Sequence, residues 1–339
     1  MIKLSICIPT YNRSKYLENC LKSITTAKKR SNLNIEVCIS DNNSEENLSP
    51  ILKRYKKKIK IITNKNKKNI GVARNILKSV SMAKGDFVWI LGNDDLVIPA
   101  AFEYLFKLFK EKSKVEFFYI NSFNIEHTFI QKNKLPLDTS KINFQNFKRF
   151  SNYKISGDKN FFELINPFIS FEFLLSMNLC VFRRKNWNRN LGAINKKNIQ
   201  NKRIYSNFDN TAPHVKIWSQ AFRNKKSYFF SKPLSANIHG PRSDDWGSYY
   251  PLVEGIRIPE ALECYRKNGM TFLRYYFCKN YALRRFLPAL YKMFFKKNYS
   301  GSEYIGIWKH IIKNLLYPSI YFFGLYFLIK RILNFRSRI

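Results

Sequence analysis

The 339-residue sequence predicts an α/β fold in which helices flank a mostly parallel sheet. Short, nearly continuous apolar runs alternate with longer segments whose apolar residues recur at helical spacing. Apolar runs of this kind are typical of strands that are buried on both faces of a parallel sheet. Ligands bind such sheets at the carboxyl ends of the strands, so the polar residues that follow each run are the first candidates for a functional site.

The first third of the sequence supplies the clearest elements. The predicted strands cover residues 3–9, 34–40, 58–63 and 87–91, and the predicted helices cover residues 15–27, 69–82 and 99–110. Three of these strands end in polar clusters, namely Thr10-Tyr11-Asn12-Arg13, Asp41-Asn42-Asn43 and Asn93-Asp94-Asp95. Because the carboxyl ends of parallel strands meet at one edge of a sheet, we expect these clusters to lie together.

The pattern weakens over residues 128–165, which are rich in Lys, Asn and Phe and which we interpret as a variable insertion or loop. A strand is predicted over residues 176–182, a short helix over 215–222, and two short strands over 228–230 and 234–238. This second set of elements completes a main domain over residues 1–250.

Residues 251–339 differ in character from the main domain. The stretch 270–298 contains no acid, and on a continuous helix Arg274, Arg285, Lys292 and Lys296 would share one face, with a kink at Pro288. Residues 315–329 are uncharged and are followed by basic residues, but a bilayer span needs about 20 apolar residues. We expect interfacial insertion at an anionic membrane surface; an ordinary solvated helix, a true span and packing inside the protein are the alternatives.

The charge balance indicates a polyanionic partner. The sequence has 60 Lys and Arg against 23 Asp and Glu, a formal charge of +37, although a genome rich in Lys and Asn codons would contribute to this excess. Nucleic acid and an anionic membrane are the two candidates. The six cysteines form no CxxC pair, which predicts a reduced compartment and no zinc site, and the N-terminus shows no secretory leader.

The acids at the strand ends indicate the chemistry. The sequence lacks a GxGxxG after its first strand and lacks a Walker loop, which argues against the common dinucleotide and NTPase sites. Asn93-Asp94-Asp95 instead places adjacent carboxylates on a turn after a buried strand, and such oxygen ligands hold Mg²⁺ or Mn²⁺ while a diphosphate completes the coordination. A metal there would neutralise a leaving nucleotide diphosphate.

Five pieces in order resemble the family-2 glycosyltransferases, which have the Rossmann-like GT-A fold. They are residues 5–13 (SICIPTYNR), 39–44 (ISDNNS), 69–75 (NIGVARN), 84–86 (KGD) and 89–95 (WILGNDD). The longer phrase at 83–103 is most similar to an abequosyltransferase-like bacterial branch, which extends surface polysaccharides. The resemblance implies a nucleotide-binding half over residues 1–110 and an acceptor half over 170–250, while the composition of residues 251–339 indicates a membrane-associating region.

The resemblance also implies roles for individual residues. Pro9, Thr10, Tyr11 and Asp41 match positions that hold the base and ribose of a nucleotide-sugar, and Arg13 belongs to the same stretch. Arg74 lies in the segment near the nucleotide, Asp94 matches the ribose-side acid and Asp95 matches the metal ligand. The chain departs from the family before this pair, because the commoner form has an Asp and a small residue there and this sequence has Gly92-Asn93. Asn93 can still coordinate a metal through its carbonyl oxygen, but one charge for binding the metal is missing.

A second departure concerns the catalytic base. Inverting members use the Asp of a Glu-Asp pair that opens a helix, whereas this sequence has Pro213-His214 in that place. His214 is chemically competent as a base near neutral pH, and Asp209 is the alternative. His239 is a candidate metal or phosphate contact from a late loop, and Arg242 is a comparable phosphate contact.

The sequence thus predicts an inverting glycosyltransferase that moves a sugar from a nucleotide-diphosphate sugar to a glycan, with Mg²⁺ or Mn²⁺ as cofactor. The acceptor is expected on a polyprenyl lipid, with the enzyme peripheral or monotopic at the cytoplasmic face of the inner membrane. Two alternatives stay open, a basic nucleic-acid-binding protein and a catalytically inactive nucleotide-binding relative. No RNP-like or helix-turn-helix motif supports the first, so nucleic acid is not expected as a partner.

Overall fold

The computed structural model describes residues 2–201, 203–239 and 245–336, and its strands form one mixed sheet. The strand order is β3-β2-β1-β4-β9-β6-β10-β5, with β7 beside β6 and β8 beside β10. The strands are β1 (Leu4–Thr10), β2 (Ile35–Asp41), β3 (Ile61–Lys65), β4 (Phe87–Ile90), β5 (Leu96–Val97), β6 (Phe117–Glu126), β7 (Lys148–Arg149), β8 (Gly157–Asn160), β9 (Cys180–Arg183) and β10 (Lys226–His239).

The first four long strands are parallel, as the sequence predicts. β1 lies between β2 and β4, and β2 also pairs with β3. β9 then inserts antiparallel between β4 and β6, and β6 pairs in parallel with β10. The prediction of a mostly parallel sheet is therefore confirmed, with antiparallel strands in its second half.

Helices cover both faces of the sheet. They are α1 (Ser14–Lys28), α2 (Ser49–Lys56), α3 (Val72–Ser81), α4 (Ala101–Glu111), α5 (His127–Gln131), α6 (Arg184–Arg189), α7 (Lys196–Ile199), α8 (Phe208–Thr211), α9 (Pro213–Ala221), α10 (Tyr250–Leu252), α11 (Ile258–Lys267), α12 (Phe272–Leu283), α13 (Phe286–Phe295) and α14 (Pro318–Arg336). One core contains buried residues of α1 and α4, and the other contains those of α3, α9, α11 and α12. Apolar side chains alternate between these two cores along β1, which explains why the strand reads as one continuous apolar run.

Two parts of the second half differ from the prediction. The two short strands expected near residues 228–238 are one long strand, β10, whose pairing with β6 shifts register between Phe230 and Ser235. The irregularity includes Pro233, which has no backbone N–H to donate to the sheet. The segment 128–165, expected as a loop, contains the short elements α5, β7 and β8, and the last two add to the sheet.

The basic stretch 270–298 is not one helix. It divides into α12 and α13 at Arg284 and Arg285, so the predicted single face of four cations does not form. Pro288 lies in the first turn of α13, where a missing backbone N–H costs no helical hydrogen bond. Pro318 likewise is the first residue of α14 and does not interrupt a helix.

Large apolar side chains are exposed along this C-terminal part of the chain. Among the most exposed are Leu273, Phe295, Trp308, Leu316, Phe322 and Tyr326. Among the described residues, no single helix combines the length and apolar character that crossing a membrane requires. The segments Ile307–Asn314 and Pro318–Leu333 meet that requirement only as a pair, and the chain bends by 88° between them.

Candidate active site

The polar clusters predicted from the sequence lie side by side at the carboxyl ends of β2, β1 and β4. Thr10 and Asp41 are the last residues of their strands and are direct partners in the β1–β2 pair. On the other side of Thr10, the Asn93 side chain donates a hydrogen bond from Nδ2 to Thr10 Oγ1 over 2.8 Å. We call this edge, from Asp41 through Thr10 to the turn of residues 92–95, the strand-end rim.

The turn after β2 is tied to the turn after β1. Asp41 is buried, and its Oδ1 accepts hydrogen bonds from the backbone N–H and the hydroxyl of Ser44, at 2.9 and 2.6 Å. The Ser44 hydroxyl oxygen in turn accepts from the backbone N–H of Asn12 at 2.9 Å. Asn12 and Asn43 adopt left-handed backbone conformations, which Asn tolerates better than most residues. The two turns therefore form one connected surface.

Hydrogen bonds from a group of asparagines support the strand-end rim. The sequence did not single out these residues. Asn75 on α3 accepts from the hydroxyl of Ser40 at 2.7 Å and donates to the carbonyl of Ser40 at 2.9 Å. Asn42 Nδ2 donates to Asn69 Oδ1 at 2.8 Å, and Asn42 Oδ1 accepts from the backbone N–H of Ile70 at 2.9 Å. These residues lie within two of the family-like pieces, so their positions in the sequence were the available signal.

The two carboxylates of the 92–95 turn converge because residue 92 is glycine. A Cβ at Gly92 would lie 2.7 Å from Asp95 Oδ2 and 2.8 Å from Asp94 Oδ1. The backbone N–H of Gly92 also donates to Asp95 Oδ2 at 3.0 Å. Only a residue without a side chain permits this approach, which brings two carboxylate oxygens into one small volume.

Charges near the turn are partly balanced from the N-terminal side. Arg13 Nη1 lies 3.1 Å from Asp94 Oδ2, and both side chains are partly buried. Beneath the turn, the Cys20 thiol points to the carbonyl of Gly92 at 3.7 Å. Burial and then the negative charges of Asp95 and Asp94 raise the pKa of Cys20 well above its usual value, so the thiol stays neutral.

This arrangement suits a divalent cation that is shared with a bound anion. Among the described residues, no group of three or more His, Cys, Asp or Glu side chains is arranged to hold a metal ion. Asp95 and Asp94 nevertheless supply hard oxygen atoms at one point, and Mg²⁺ is commonly held by one or two carboxylates plus substrate phosphates. The donor set thus fits Mg²⁺ or Mn²⁺ with a diphosphate completing the coordination.

The remaining rim residues offer surface to a ligand. Tyr11 is 42% exposed, and Pro9 and Arg74 are partly exposed. Arg74 lies in the first turn of α3, a helix that begins after Gly71, whose φ is +87°. These three side chains border the connected turns of β1 and β2, where the resemblance put the nucleoside.

The piece Lys84-Gly85-Asp86 lies at the opposite edge of the sheet. The backbone N–H of Gly85 donates to Ser5 Oγ at 2.8 Å, and that hydroxyl donates to buried Glu36 Oε1 at 2.7 Å. A Cβ at Gly85 would lie 2.7 Å from the backbone nitrogen of Ser5. This part of the resemblance therefore serves the packing of β1 and not the rim.

The first predicted base, His214, does not reach solvent. Its ring is 3% exposed, packs on Trp218 at 4.8 Å between ring centroids, and lies 2.9 Å from the carbonyl oxygen of Leu175 through Nε2. Burial lowers the pKa of His214 to about 4, so the ring is neutral at physiological pH. The geometry does not support a role of His214 as base, because the buried ring contacts the backbone at Leu175.

The alternative base, Asp209, is also buried, and both of its carboxylate oxygens accept hydrogen bonds within the protein. It is 4% exposed, and its Oδ1 accepts from Lys216 Nζ at 2.7 Å and from the backbone N–H of Asn195 at 2.9 Å. Its Oδ2 accepts from Asn198 Nδ2 at 3.0 Å. The carboxylate joins the loop before α7 to α9, so the geometry does not support a role as base.

The structure places His239 near the end of the rim but not on the carboxylate turn. His239 is the last residue of β10, is exposed, and has Nε2 3.4 Å from Glu126 Oε1. Leu96 pairs with Ala236 in antiparallel register, so His239 lies beyond the position opposite Asp95 by roughly 7 Å of strand. Arg242 lies outside the described residues.

The rim continues beyond β4 through residues that the sequence did not single out. Trp89 on β4 donates from Nε1 to the carbonyl oxygen of Asn178 at 2.7 Å. Asn178 Nδ2 donates to Asn237 Oδ1 at 2.7 Å, and Ser122 Oγ donates to the same oxygen at 2.7 Å. We call these three residues, Asn178, Asn237 and Ser122, the polar wall; they lie in or beside the part of the sheet on the side of β4 that is away from β1 and β2.

Comparison with known proteins agrees with this arrangement. The family model described as glycosyl transferase family 2 matches residues 5–173. Abequosyltransferase RfbV from Salmonella typhimurium is 47% identical over 94 residues, which are 27% of this chain and 28% of that protein. The GalNAc(5)-diNAcBac-PP-undecaprenol beta-1,3-glucosyltransferase of Campylobacter jejuni is 32% identical over 108 residues, which are 31% of this chain and 34% of that protein. The chain thus spans about a third or less of the length of these relatives.

A solved structure extends the likeness to most of the chain. Residues 1–349 of TarS from S. aureus, in complex with UDP-GlcNAc, align with a TM-score of 0.57 over 84% of this chain and 73% of that chain. The sequences are 16% identical, so this likeness concerns the fold. It confirms the GT-A fold predicted from the sequence.

Proposed function

This chain belongs to glycosyl transferase family 2 through residues 5–173, and on that premise we propose that it transfers a sugar from a nucleotide-diphosphate sugar to a glycan acceptor. The observation that carries the proposal is the strand-end rim, where Asp41, Thr10 and the Asp94-Asp95 turn are neighbours. Converging carboxylates at the ends of parallel strands suit a nucleoside on one side and a diphosphate on the other.

In this proposal the nucleoside lies against Pro9, Thr10 and Tyr11, with Asp41 at the ribose. Asp41 already accepts two hydrogen bonds through Oδ1, which hold its carboxyl group in one orientation. Exposed Tyr11 offers a ring face for a base, and Arg74 offers a cation at the same end. Each of these roles is inferred from position and residue chemistry.

The diphosphate would lie at the 92–95 turn. Asp95, with Asp94 or the carbonyl of Asn93 beside it, would hold Mg²⁺ or Mn²⁺, and a cation there neutralises charge that develops on the leaving diphosphate. Arg13 is paired with Asp94 and would keep that carboxylate oriented toward the sugar side. His239 and Arg242 stay as proposed late contacts for the metal or the phosphates.

We propose inversion at the anomeric carbon, which requires a single displacement by an acceptor hydroxyl from the side opposite the diphosphate. The polar wall Asn178-Asn237-Ser122 lies on the side of the carboxylate turn that is remote from the proposed nucleoside, according to the strand order. The side-chain amides of Asn178 and Asn237 are partly exposed and suit sugar hydroxyl groups, which both donate and accept hydrogen bonds, whereas Ser122 is buried behind them. The acceptor is therefore assigned to that wall.

The acceptor is proposed to be a glycan on a polyprenyl lipid, with the enzyme bound to the cytoplasmic face of the inner membrane. The exposed apolar side chains of residues 272–333 support this proposal, because they stand among many cations. Basic residues near an anionic leaflet add about 1 kcal/mol each. The Campylobacter relative is named for an undecaprenol-linked acceptor, which favours the same class here.

A panel of UDP-, GDP-, CDP- and dTDP-sugars, each with and without Mn²⁺, tests the proposed function by thermal stabilisation and by release of the nucleoside diphosphate. We expect one donor class to stabilise the protein, with a larger effect when Mn²⁺ is present. Asp95→Asn should abolish the part of this stabilisation that depends on Mn²⁺. Asp158→Asn, which alters an exposed carboxylate paired with Lys112, is the matched control. If no nucleotide sugar stabilises the wild type under either condition, the proposal is wrong.

A further inference from the structure

We propose that Glu172 is the catalytic residue that accepts the proton of the attacking acceptor hydroxyl, with Glu254 and Arg285 as positioning residues beside it. The inference rests on the proposed function, because it assigns a residue to the acceptor side of the same site. It also replaces the two candidates from the sequence, His214 and Asp209, which are buried and bonded within the core.

The first support is the place of Glu172 along the rim. β9 pairs antiparallel with β4, and Trp89 stands opposite Val181. The chain that precedes β9 therefore continues past the end of β4, beside the turn that bears Asp94 and Asp95. The hydrogen bond from Trp89 Nε1 to the carbonyl of Asn178 fixes this approach. Strand order puts the proposed nucleoside on the β1 and β2 side, so the residues that lead into β9 stand on the opposite side of the carboxylate turn, and Glu172 lies six residues before Asn178.

The second support is the unusual backbone of that segment. Phe173 and Leu174 both have positive φ, 49° and 67°, in consecutive residues with bulky side chains. Such conformations are strained for residues other than glycine and persist where the surrounding structure holds them in place.

Buried side chains from two helices hold this backbone. Tyr265 on α11 donates its hydroxyl to the carbonyl of Phe173 at 2.7 Å, and His214 on α9 contacts the carbonyl of Leu175 at 2.9 Å. Both holding side chains are nearly inaccessible to solvent. Their contacts sit on either side of Leu174 and directly after Glu172, so they set the position from which the Glu172 side chain projects.

The third support is the set of charges around the Glu172 carboxyl group. The Ser176 hydroxyl donates to Glu172 Oε2, and Arg285 pairs with buried Glu254 while its guanidinium lies 3.9 Å from the Phe171 ring centroid. Glu254 and Arg285 come from the region after residue 250, so the C-terminal helices complete this side of the site.

Some of the groups around Glu172 raise the pKa of its carboxyl group and others lower it. Burial and then the negative charge of Glu254 raise the pKa of Glu172, while the Ser176 hydroxyl and the Arg285 cation lower it, and the net direction is upward. Burial raises the pKa of Tyr250 and of Tyr119, and the negative charge of Glu172 adds to each rise. A carboxylate that binds protons more readily than usual is a stronger base near neutral pH.

The acceptor oxygen forms a bond to the anomeric carbon while the bond from that carbon to the diphosphate oxygen breaks. The hydroxyl proton passes to the Glu172 carboxylate, and the electron pair of the broken bond leaves with the nucleoside diphosphate. Glu172 then releases its proton to solvent, and no oxidant or further reactant is needed.

The experiment uses the full chain and the nucleotide sugar selected by the donor panel, with water as the acceptor, and measures release of nucleoside diphosphate from pH 5 to 9. Glu172→Gln should lower kcat by about 100-fold with the KM for the donor changed by less than threefold. Glu172→Asp should recover part of the rate. Glu111→Gln, which alters an exposed carboxylate on α4, should behave as the wild type.

Glu254→Gln gives the readout that a merely structural role would not produce. Removing the negative charge beside Glu172 should move the acid limb of the pH–rate profile to lower pH, because the base then loses its proton more easily. If Glu172→Gln keeps the wild-type kcat and pH profile while donor binding is normal, this assignment is overturned and the proposed function stands. If the wild type neither binds nor cleaves any donor, the proposed function itself has failed.

Discussion

The side chain of Asn93 donates a hydrogen bond of 2.8 Å to the hydroxyl of Thr10 and thereby joins the carboxylate turn to the end of β1. Both residues are buried, and the residues lie 83 positions apart in the chain. Through this contact the segment that would bind the nucleoside and the segment that would bind the diphosphate move as one unit. The Asn93 amide uses its donor group for this contact, in a turn that has one acid fewer than the commoner form of the family.

The Asn93–Thr10 contact should be measurable as a coupling energy. We expect Thr10→Val and Asn93→Ala to destabilise the fold individually, and a double-mutant cycle from denaturant unfolding should give a coupling of about 0.5–1.5 kcal/mol. The pair Thr10→Val and Ser81→Ala is the control, because Ser81 is exposed on α3 and bonds within its own helix. Equal coupling in both cycles would show that the contact contributes nothing specific.

Gly92→Ala should damage the carboxylate turn more than the fold. The added methyl group would meet Asp95 Oδ2 and Asp94 Oδ1 at 2.7 and 2.8 Å, so at least one carboxylate must move. We expect Mn²⁺-dependent nucleotide binding, measured by calorimetry, to weaken at least 10-fold. Gly157→Ala, where nothing lies within 4 Å of the added Cβ, should bind as the wild type does. If Gly92→Ala binds the nucleotide with Mn²⁺ as tightly as the wild type does, the 92–95 turn is not the metal site.

His214 should affect stability as the pH falls. Burial keeps its pKa at about 4 in the folded chain, whereas the unfolded value is near 6.5, so the unfolded chain binds the proton first. Stability is therefore present above pH 6.5 and is lost as pH falls toward 4, by about 2 kcal/mol at pH 5. Thermal unfolding from pH 7.5 to 5 should show a smaller decrease for His214→Asn than for the wild type. The exposed His239→Asn serves as the control, and identical slopes for all three proteins would contradict the burial effect.

Exposed apolar residues near the 88° bend should carry membrane binding. Trp308 and Leu316 are 79% and 80% exposed and flank the segment 309–315. We expect Trp308→Ala combined with Leu316→Ala to weaken flotation with vesicles of anionic phospholipid at least 10-fold, since each large apolar side chain contributes about 1.5–3 kcal/mol when it leaves water. Ile155→Ala, at a position that is 67% exposed in the main domain, should leave flotation unchanged. Equal flotation of both variants would place the docking surface elsewhere.

Several elements were predictable because their signals are local. The apolar runs of β1, β2 and β4 end where the sequence turns polar, and parallel strands bring such ends to one edge whatever the rest of the chain does. The proximity of Asp41, Thr10 and Asn93 is thus a consequence of strand order and register. By the same logic Lys84-Gly85-Asp86, which comes directly before β4, falls at the opposite edge. Its packing on Ser5 could not be predicted, because Ser5 is remote in the chain.

Other features depended on contacts between distant segments. The single helix expected over residues 270–298 is two helices, because the break at Arg284 and Arg285 allows α12 and α13 each to bury an apolar face. The division of the chain near residue 250 remains a useful description of composition. This division does not reveal that Glu254 and Arg285, which follow residue 250, form an ion pair beside Glu172 of the main domain.

By itself the sequence determined the α/β architecture, the polar strand ends and the family resemblance, all of which follow from periodicity and residue order over short distances. Only the tertiary structure decided which titratable groups are accessible. The sequence indicates His214 and Asp209 as candidate bases, yet packing buries both, with His214 Nε2 against a backbone carbonyl and Asp209 paired with Lys216. The burial of a group and the charges near it depend on residues that are far apart in the sequence. Together they determine which carboxyl group can exchange a proton with a substrate.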